Sequence, residues 1–115
     1  MTEKLILEKI DNIAKITINN PSANTWDLES LAGLEEIIEH LNQDDEIFSL
    51  VITGQGEKFF SAGADLKVFQ EGGKDAAKEM SNAFSNAFDS LSKFRGVSIA
   101  AINGFAMGGG LECAL

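Results

Sequence analysis

Strict alternation marks Ile13–Asn19, where Ile13, Lys15 and Thr17 fall on one side and Ala14, Ile16 and Ile18 on the other. A period of two is the signature of a strand with one buried face. Lys4–Ile10, with Leu5, Ile6 and Leu7 among charged residues, predicts a strand before it. Asp11-Asn12 between the two is tight-turn chemistry, so a hairpin is expected. Asn19-Asn20-Pro21-Ser22 then breaks the pattern at the only proline. From Asp27 the period becomes helical. Leu28, Leu31, Leu34, Ile38 and Leu41 share a face, while Glu29, Glu35, Glu36 and Glu39 lie mostly elsewhere. Asp27 suits an N-cap, and the helix should run to about Asn42.

Ser49-Leu50-Val51-Ile52-Thr53 is a short continuous apolar run closed by Gly54-Gln55-Gly56, which predicts a strand covered on both faces. A second helix is expected from about Asp75 to Phe94, its stripe made of Ala76, Met80, Ala83 or Phe84, Ala87 or Phe88, and Leu91. Ser98–Ile102 predicts another short buried strand, leading into a glycine-rich run and the start of a third helix. The order β-β-α-β-α-β-α places the chain in the α/β class.

Composition narrows the function classes. At 115 residues the chain is at most one domain, and 44% apolar residues suffice for a core. Eighteen Asp and Glu against nine Lys and Arg give a net charge of −9. That argues against nucleic acid or an anionic membrane as partner, while leaving room for a local cationic pocket. One cysteine, Cys113, permits no internal disulfide and fits a reducing cytoplasm. The apolar runs fall short of a signal peptide and of the ~20 residues of a membrane span. A cytoplasmic protein is expected.

Two turns carry candidate chemistry. Phe59-Phe60-Ser61-Ala62-Gly63-Ala64-Asp65-Leu66-Lys67 follows one predicted strand, with small residues that would let a ligand reach main-chain amides. From spacing alone it reads more readily as an ordinary surface loop anchored by its phenylalanines. Asn103–Glu112 follows another strand and holds three consecutive glycines, with Glu112 just beyond them. Alone, those glycines serve close helix–strand packing as readily as ligand approach, and Glu112 serves as a capping carboxylate. Neither the G-x-G-x-x-G order nor the Gly-Lys-Ser/Thr of a P-loop is present. Together the turns say more: two backbone N–H groups from two loops are how a two-donor oxyanion hole is built, each donor contributing ~3 kcal/mol to barrier lowering. The remaining candidates are weaker. His40, the only histidine, favours the C-terminal end of the first helix, and no Ser–His–Asp elbow or metal-ligand spacing exists. Cys113 reads as a small buried apolar residue, and Lys67 as a surface charge or a neighbour of a bound anion.

Phe60-Ser-Ala-Gly-Ala-Asp-Leu-Lys67 resembles the "F-x-A-G-A-D-[IL]-K" turn of the enoyl-CoA hydratase/isomerase (crotonase) superfamily. Ala101–Glu112 resembles its "N-G-x-A-x-G-G-G-x-E" segment, and Asn20-Pro21-Ser22-Ala23-Asn24 its early "P-x-x-x-N" element. The resemblance covers essentially the whole chain but only the N-terminal portion of a family domain. It implies a crotonase-like spiral of ββα units, truncated here, and assembly as a homotrimer or hexamer. It implies an acyl-CoA thioester as ligand, with coenzyme A part of the substrate and no separate cofactor. The N–H groups of Ala64 and Gly109 would hold the thioester oxygen. Asp65, Leu66 and Lys67 would line the ligand with Ala62 nearby, and Ala23 and Asn24 would lie by the adenine end. Glu112 would be a catalytic base. Two departures stand out. Asn19 and Asn20 occupy places where many members carry Arg or Lys, and the second hydratase glutamate would lie beyond Leu115. The expected activity is enoyl-CoA hydratase, with Δ3-Δ2-enoyl-CoA isomerase as the near alternative. A catalytically incomplete piece paired with a complementary C-terminal fragment is the alternative of another class.

Overall fold

The computed structural model describes residues 2–115, the side chains of residues 66–71 excepted. Leu5–Ile10 (β1) and Ile13–Ile18 (β2) form the expected antiparallel hairpin, with Leu5 opposite Ile18 and Ile10 opposite Ile13. Asp11 at its tip takes φ 54°, a left-handed conformation that Asp tolerates and a tight reversal needs.

Helix α1 spans Leu28–Asn42, and Asp27 caps it as the sequence predicts. Asp27 accepts from the Ser30 N–H at 2.9 Å, and the Asp27 N–H donates to Ser30 Oγ at 3.0 Å. Two donors at the helix start are thereby satisfied reciprocally. Lys4 Nζ pairs with the same carboxylate. Burial disfavours the Asp27 charge, yet the hydrogen bonds from Lys4 and Ser30 outweigh it and hold the carboxyl below its usual range. The buried stripe Leu31, Leu34, Ile37, Ile38 and Leu41 shares one core with Ala14, Ile16 and Ile18 of β2.

Ser49–Gly54 (β3) runs parallel to β2, and Val97–Ala100 (β5) runs parallel to β3, giving the sheet order β1-β2-β3-β5. Burial along these strands departs from expectation. In β3 Leu50 and Ile52 are buried while Ser49, Val51 and Thr53 are only half-buried, so one face is covered, not two. In β5 Val97 is 62% and Ile99 50% exposed. β5 is an edge strand whose far side pairs with nothing among the described residues. Apolar content predicted the strand correctly; its cover is a property of neighbours.

The second helix, α2, spans Leu66–Ser92, beginning before the predicted Asp75. Gly73, at φ 63° and ψ −143°, breaks it into two segments, and the predicted stripe falls in the second. Met80, Ala87 and Leu91 are buried there, as expected. Phe88 of α2 meets Trp26 edge to face at 5.7 Å between ring centroids. Trp26 is fully buried, a core residue the periodicity did not mark.

Two strands were not predicted: Phe59–Ser61 (β4) and Phe105–Ala106 (β6), which pair in parallel as a separate small sheet. At three and two residues they are too short to display a period. Gly109–Ala114 (α3) follows β6 directly. The observed order is thus β-β-α-β-β-α-β-β-α, and both candidate turns leave the small sheet. Among the described residues no helix is long and apolar enough to cross a membrane.

Candidate active site

Two asparagines fix the start of the first turn. Asn24 is buried at φ 53°, and its Nδ2 donates to the carbonyls of Gln55 and Phe59, each at 3.0 Å. Its Oδ1 accepts from the Asn20 N–H at 3.2 Å. Asn103 approaches from the other side. Its Nδ2 donates to Gly56 O at 2.9 Å and Phe59 O at 3.1 Å, and its Oδ1 accepts from the Gly54 N–H at 2.9 Å. The loop between β3 and β4 is therefore gripped from two segments distant in sequence.

Residues 62–65 run beside 23–26 in a strand-like bridge. The Ala62 N–H donates to Ala23 O at 3.0 Å, the Trp26 N–H to Gly63 O at 2.7 Å, and the Asp65 N–H to Trp26 O at 2.9 Å. The Gly63 N–H donates to Ser61 Oγ at 3.2 Å. In this run the Ala64 N–H alone has no acceptor among the described residues.

The second turn closes on the first. The Met107 N–H donates to Ser61 O at 3.0 Å, and the Gly110 N–H to Met107 O at 2.8 Å. Gly110 packs so tightly that a Cβ there would lie 2.1 Å from Ser61 O. Gly63 has φ 100°, and a Cβ on it would stand 3.0 Å from both the Gly109 nitrogen and Met107 O. Glycine at both places is what lets the turns touch. The Gly109 N–H is in the first turn of α3, where no intrahelical acceptor exists, and none is supplied from elsewhere among the described residues. Two undonated N–H groups, from Ala64 and Gly109, thus sit at one junction.

Glu112 lies three residues beyond Gly109, hence on the same side of α3, and is exposed. Cys113 beside it is buried, and that burial pushes its thiol up to about 12, so it stays neutral and unreactive at physiological pH. A recess of about 150 Å³ between α2, β5 and α3 has, among the described residues, Glu112 as its one charged side chain, beside Phe88, Leu91, Ile99, Ala100 and Cys113. Neither Ala64 nor Gly109 lines it.

The structure thus brings the loop that holds Ala62 and Ala64 against Gly109 through the Gly63 and Ser61 contacts, with Asp65 half-buried just beyond Ala64, while Glu112 lies one turn further along α3, in the recess. Ala23 meets this loop through its carbonyl; the Asn24 side chain is turned inward with both its ends engaged. Leu66 and Lys67 open α2, and their side chains lie outside the described residues. Asn20, one of the two positions at which the resemblance would lead one to expect a cation, donates its amide to Thr25 O at 2.9 Å. Sequence reasoning missed Asn103 as a brace; the signal available was an asparagine before glycine at the end of a strand.

A family model described as enoyl-CoA hydratase/isomerase matches residues 8–115. The chain belongs to the enoyl-CoA hydratase/isomerase family. Among its relatives, a short-chain-enoyl-CoA hydratase of Clostridium acetobutylicum is 36% identical over 112 residues, which are 96% of this chain and 43% of that protein. A carnitinyl-CoA dehydratase of Salmonella enteritidis is 40% identical over 115 residues, covering all of this chain and 44% of that one. The structure of Pseudomonas aeruginosa DspI superimposes with a TM-score of 0.96 at 65% identity, covering 98% of this chain and 46% of DspI. The chain spans somewhat under half the length of the family members it matches. What aligns is the fold expected from the two turns, the front of a crotonase domain.

Proposed function

We propose that this chain supplies the thioester-holding half of an enoyl-CoA hydratase site. The observation that carries the proposal is the pair of undonated N–H groups, Ala64 and Gly109, at the junction of the two turns. A thioester carbonyl oxygen placed between them would accept two hydrogen bonds that strengthen as it takes on enolate charge. Family membership and the hydratase and dehydratase relatives support that chemistry. The substrate is a trans-2-enoyl-CoA. Glu112 takes a proton from water as the water oxygen bonds to C3, and the C2–C3 π pair moves into an enolate held by the two amides. The protonated Glu112 then returns its proton to C2 of the enolate, which regenerates the carboxylate and completes a net addition of water with no redox change. Asp65, Leu66 and Lys67 flank the acyl thioester, and Ala23 marks the side from which CoA enters.

The test uses the polypeptide that carries this chain. Glu112→Gln is expected to lower kcat for hydration of a trans-2-enoyl-CoA at least about a hundredfold, the usual weight of a positioned base, with thioester affinity retained. Hydration at the parental rate overturns the role of Glu112. Product analysis separates the reactions: a shifted double bond with no added water assigns the same hole to Δ3-Δ2 isomerisation.

A further inference from the structure

Phe59 O is the meeting point of two carboxamides that start from opposite ends of the site. Asn24 Nδ2 reaches it at 3.0 Å and Asn103 Nδ2 at 3.1 Å, which occupies both of its lone pairs. The second hydrogen of each amide goes to the preceding turn, to Gln55 O at 3.0 Å and to Gly56 O at 2.9 Å. Each oxygen end is also fixed, by the Asn20 N–H at 3.2 Å and the Gly54 N–H at 2.9 Å. Neither amide can therefore flip or turn without losing bonds at both ends.

The placement of these residues matters more than their number of bonds. Asn24 opens the segment whose backbone brackets Ala64, through Trp26 and Gly63 at 2.7 Å and Asp65 and Trp26 at 2.9 Å. Asn103 belongs to the connection from β5 into β6, which delivers Gly109. Phe59 begins β4, which delivers Ala64. One carbonyl thus joins the strand leading to the first amide and the loops holding both.

We infer that Asn24 and Asn103 are positioning residues that fix the Ala64 N–H relative to the Gly109 N–H by clamping the Phe59 carbonyl between them. The inference rests on the hydration reading above and reassigns the Asn24 side chain, which faces inward, away from ligand contact. Hydrogen bonds to an enolate oxygen are directional, and an error of about 1 Å in such a constellation costs up to about 100-fold in rate. Ground-state binding, spread along the whole CoA ester, is far less sensitive.

The experiment compares the parental polypeptide with Asn24→Ala and Asn103→Ala, each of which leaves the other bond to Phe59 O. The readouts are kcat and KM for a trans-2-enoyl-CoA, and the ultraviolet absorbance of the enolate formed by a bound β-ketoacyl-CoA. The expected result is a fall in kcat of about 10- to 100-fold, KM within about threefold, and a weakened enolate band. Unchanged kcat and an unchanged band in folded variants overturn the positioning role. Should an alanine variant not fold, Thr53→Val is read in its place. It removes the hydroxyl that donates to Ala101 O at 2.8 Å, within the connection that carries Asn103, and that stands 3.3 Å from Asn103 Oδ1. A smaller loss of the same kind supports the clamp, and parental behaviour overturns it. If the parental polypeptide itself neither hydrates nor forms the enolate, the functional reading fails instead.

Discussion

Asp27 shows how much one residue can organise. Its carboxylate accepts from Ser30 at the head of α1 and from Lys4, three residues from the start of the described chain. Both bonds favour the charged form, and the folded carboxyl titrates below its unfolded value despite partial burial. The sign follows from that direction. Stability from Asp27 is fully present above the unfolded pKa of about 3.9 and is lost as pH falls through the depressed folded value. Asp27→Ala should therefore cost about 1–2 kcal/mol at neutral pH, the usual weight of an N-cap. The gap between variant and parent should close in acid. Urea titrations at neutral and acid pH measure it, and a gap that is constant with pH defeats the argument.

At the scale of elements, Arg95 acts as a cap supplied from elsewhere. Helix α1 ends at Gln43 in a right-handed conformation, without the left-handed glycine that commonly closes a helix. Its last carbonyls are met by the Arg95 guanidinium, through Nε to Asn42 O at 2.9 Å and Nη2 to Leu41 O at 3.3 Å. The same Nη2 reaches Ile47 O at 2.8 Å and also Asp44 O. The start of β5 is thereby pinned to the end of α1 and the entry to β3. Arg95→Ala should lower stability by about 2 kcal/mol, allowing for solvent exposure. Arg95→Lys should recover only part of that, since an ammonium cannot present a planar fork. Equal unfolding midpoints for the parent and both variants would rule out the cap. This kind of contact explains what the sequence could and could not disclose. The bounds of α1 were legible because its cap and its apolar stripe are both local. Strands β4 and β6 were not, because Phe59 is held by carboxamides 35 and 44 residues away. The two turns of the site were legible from their small residues. Their union was inferred from chemistry, and the glycine contacts at 2.1 and 3.0 Å supply its physical cause.

Over the whole molecule, apolar burial is lopsided. The helices cover the inner face of the sheet over β2 and β3, while the register places Ile10, Ile13 and Val97 in one row on the outer face, with Ser49 between the last two and Ile99 in the next row. All four are exposed, as are Phe48 and Ile102 nearby, and the outer edge of β5 pairs with no strand among the described residues. An open edge beside an apolar face is a template for another strand or another chain. The family members it matches are more than twice as long, so further sequence of this family is available in principle to cover such a face. The 115-residue chain by itself should therefore associate with rising concentration and bind an apolar-surface dye. A charge placed in the row, as in Val97→Lys or Ile99→Lys, should suppress both, because lysine on an edge strand makes pairing costly. Sedimentation at two or more concentrations, with dye fluorescence alongside, decides the matter. A chain that stays monomeric and dye-silent, or lysine variants that associate as the parent does, would show that this face is not what drives association. In a longer polypeptide of the family the same lysines carry a different expectation: they should impair folding, since a charge would then be buried without a partner.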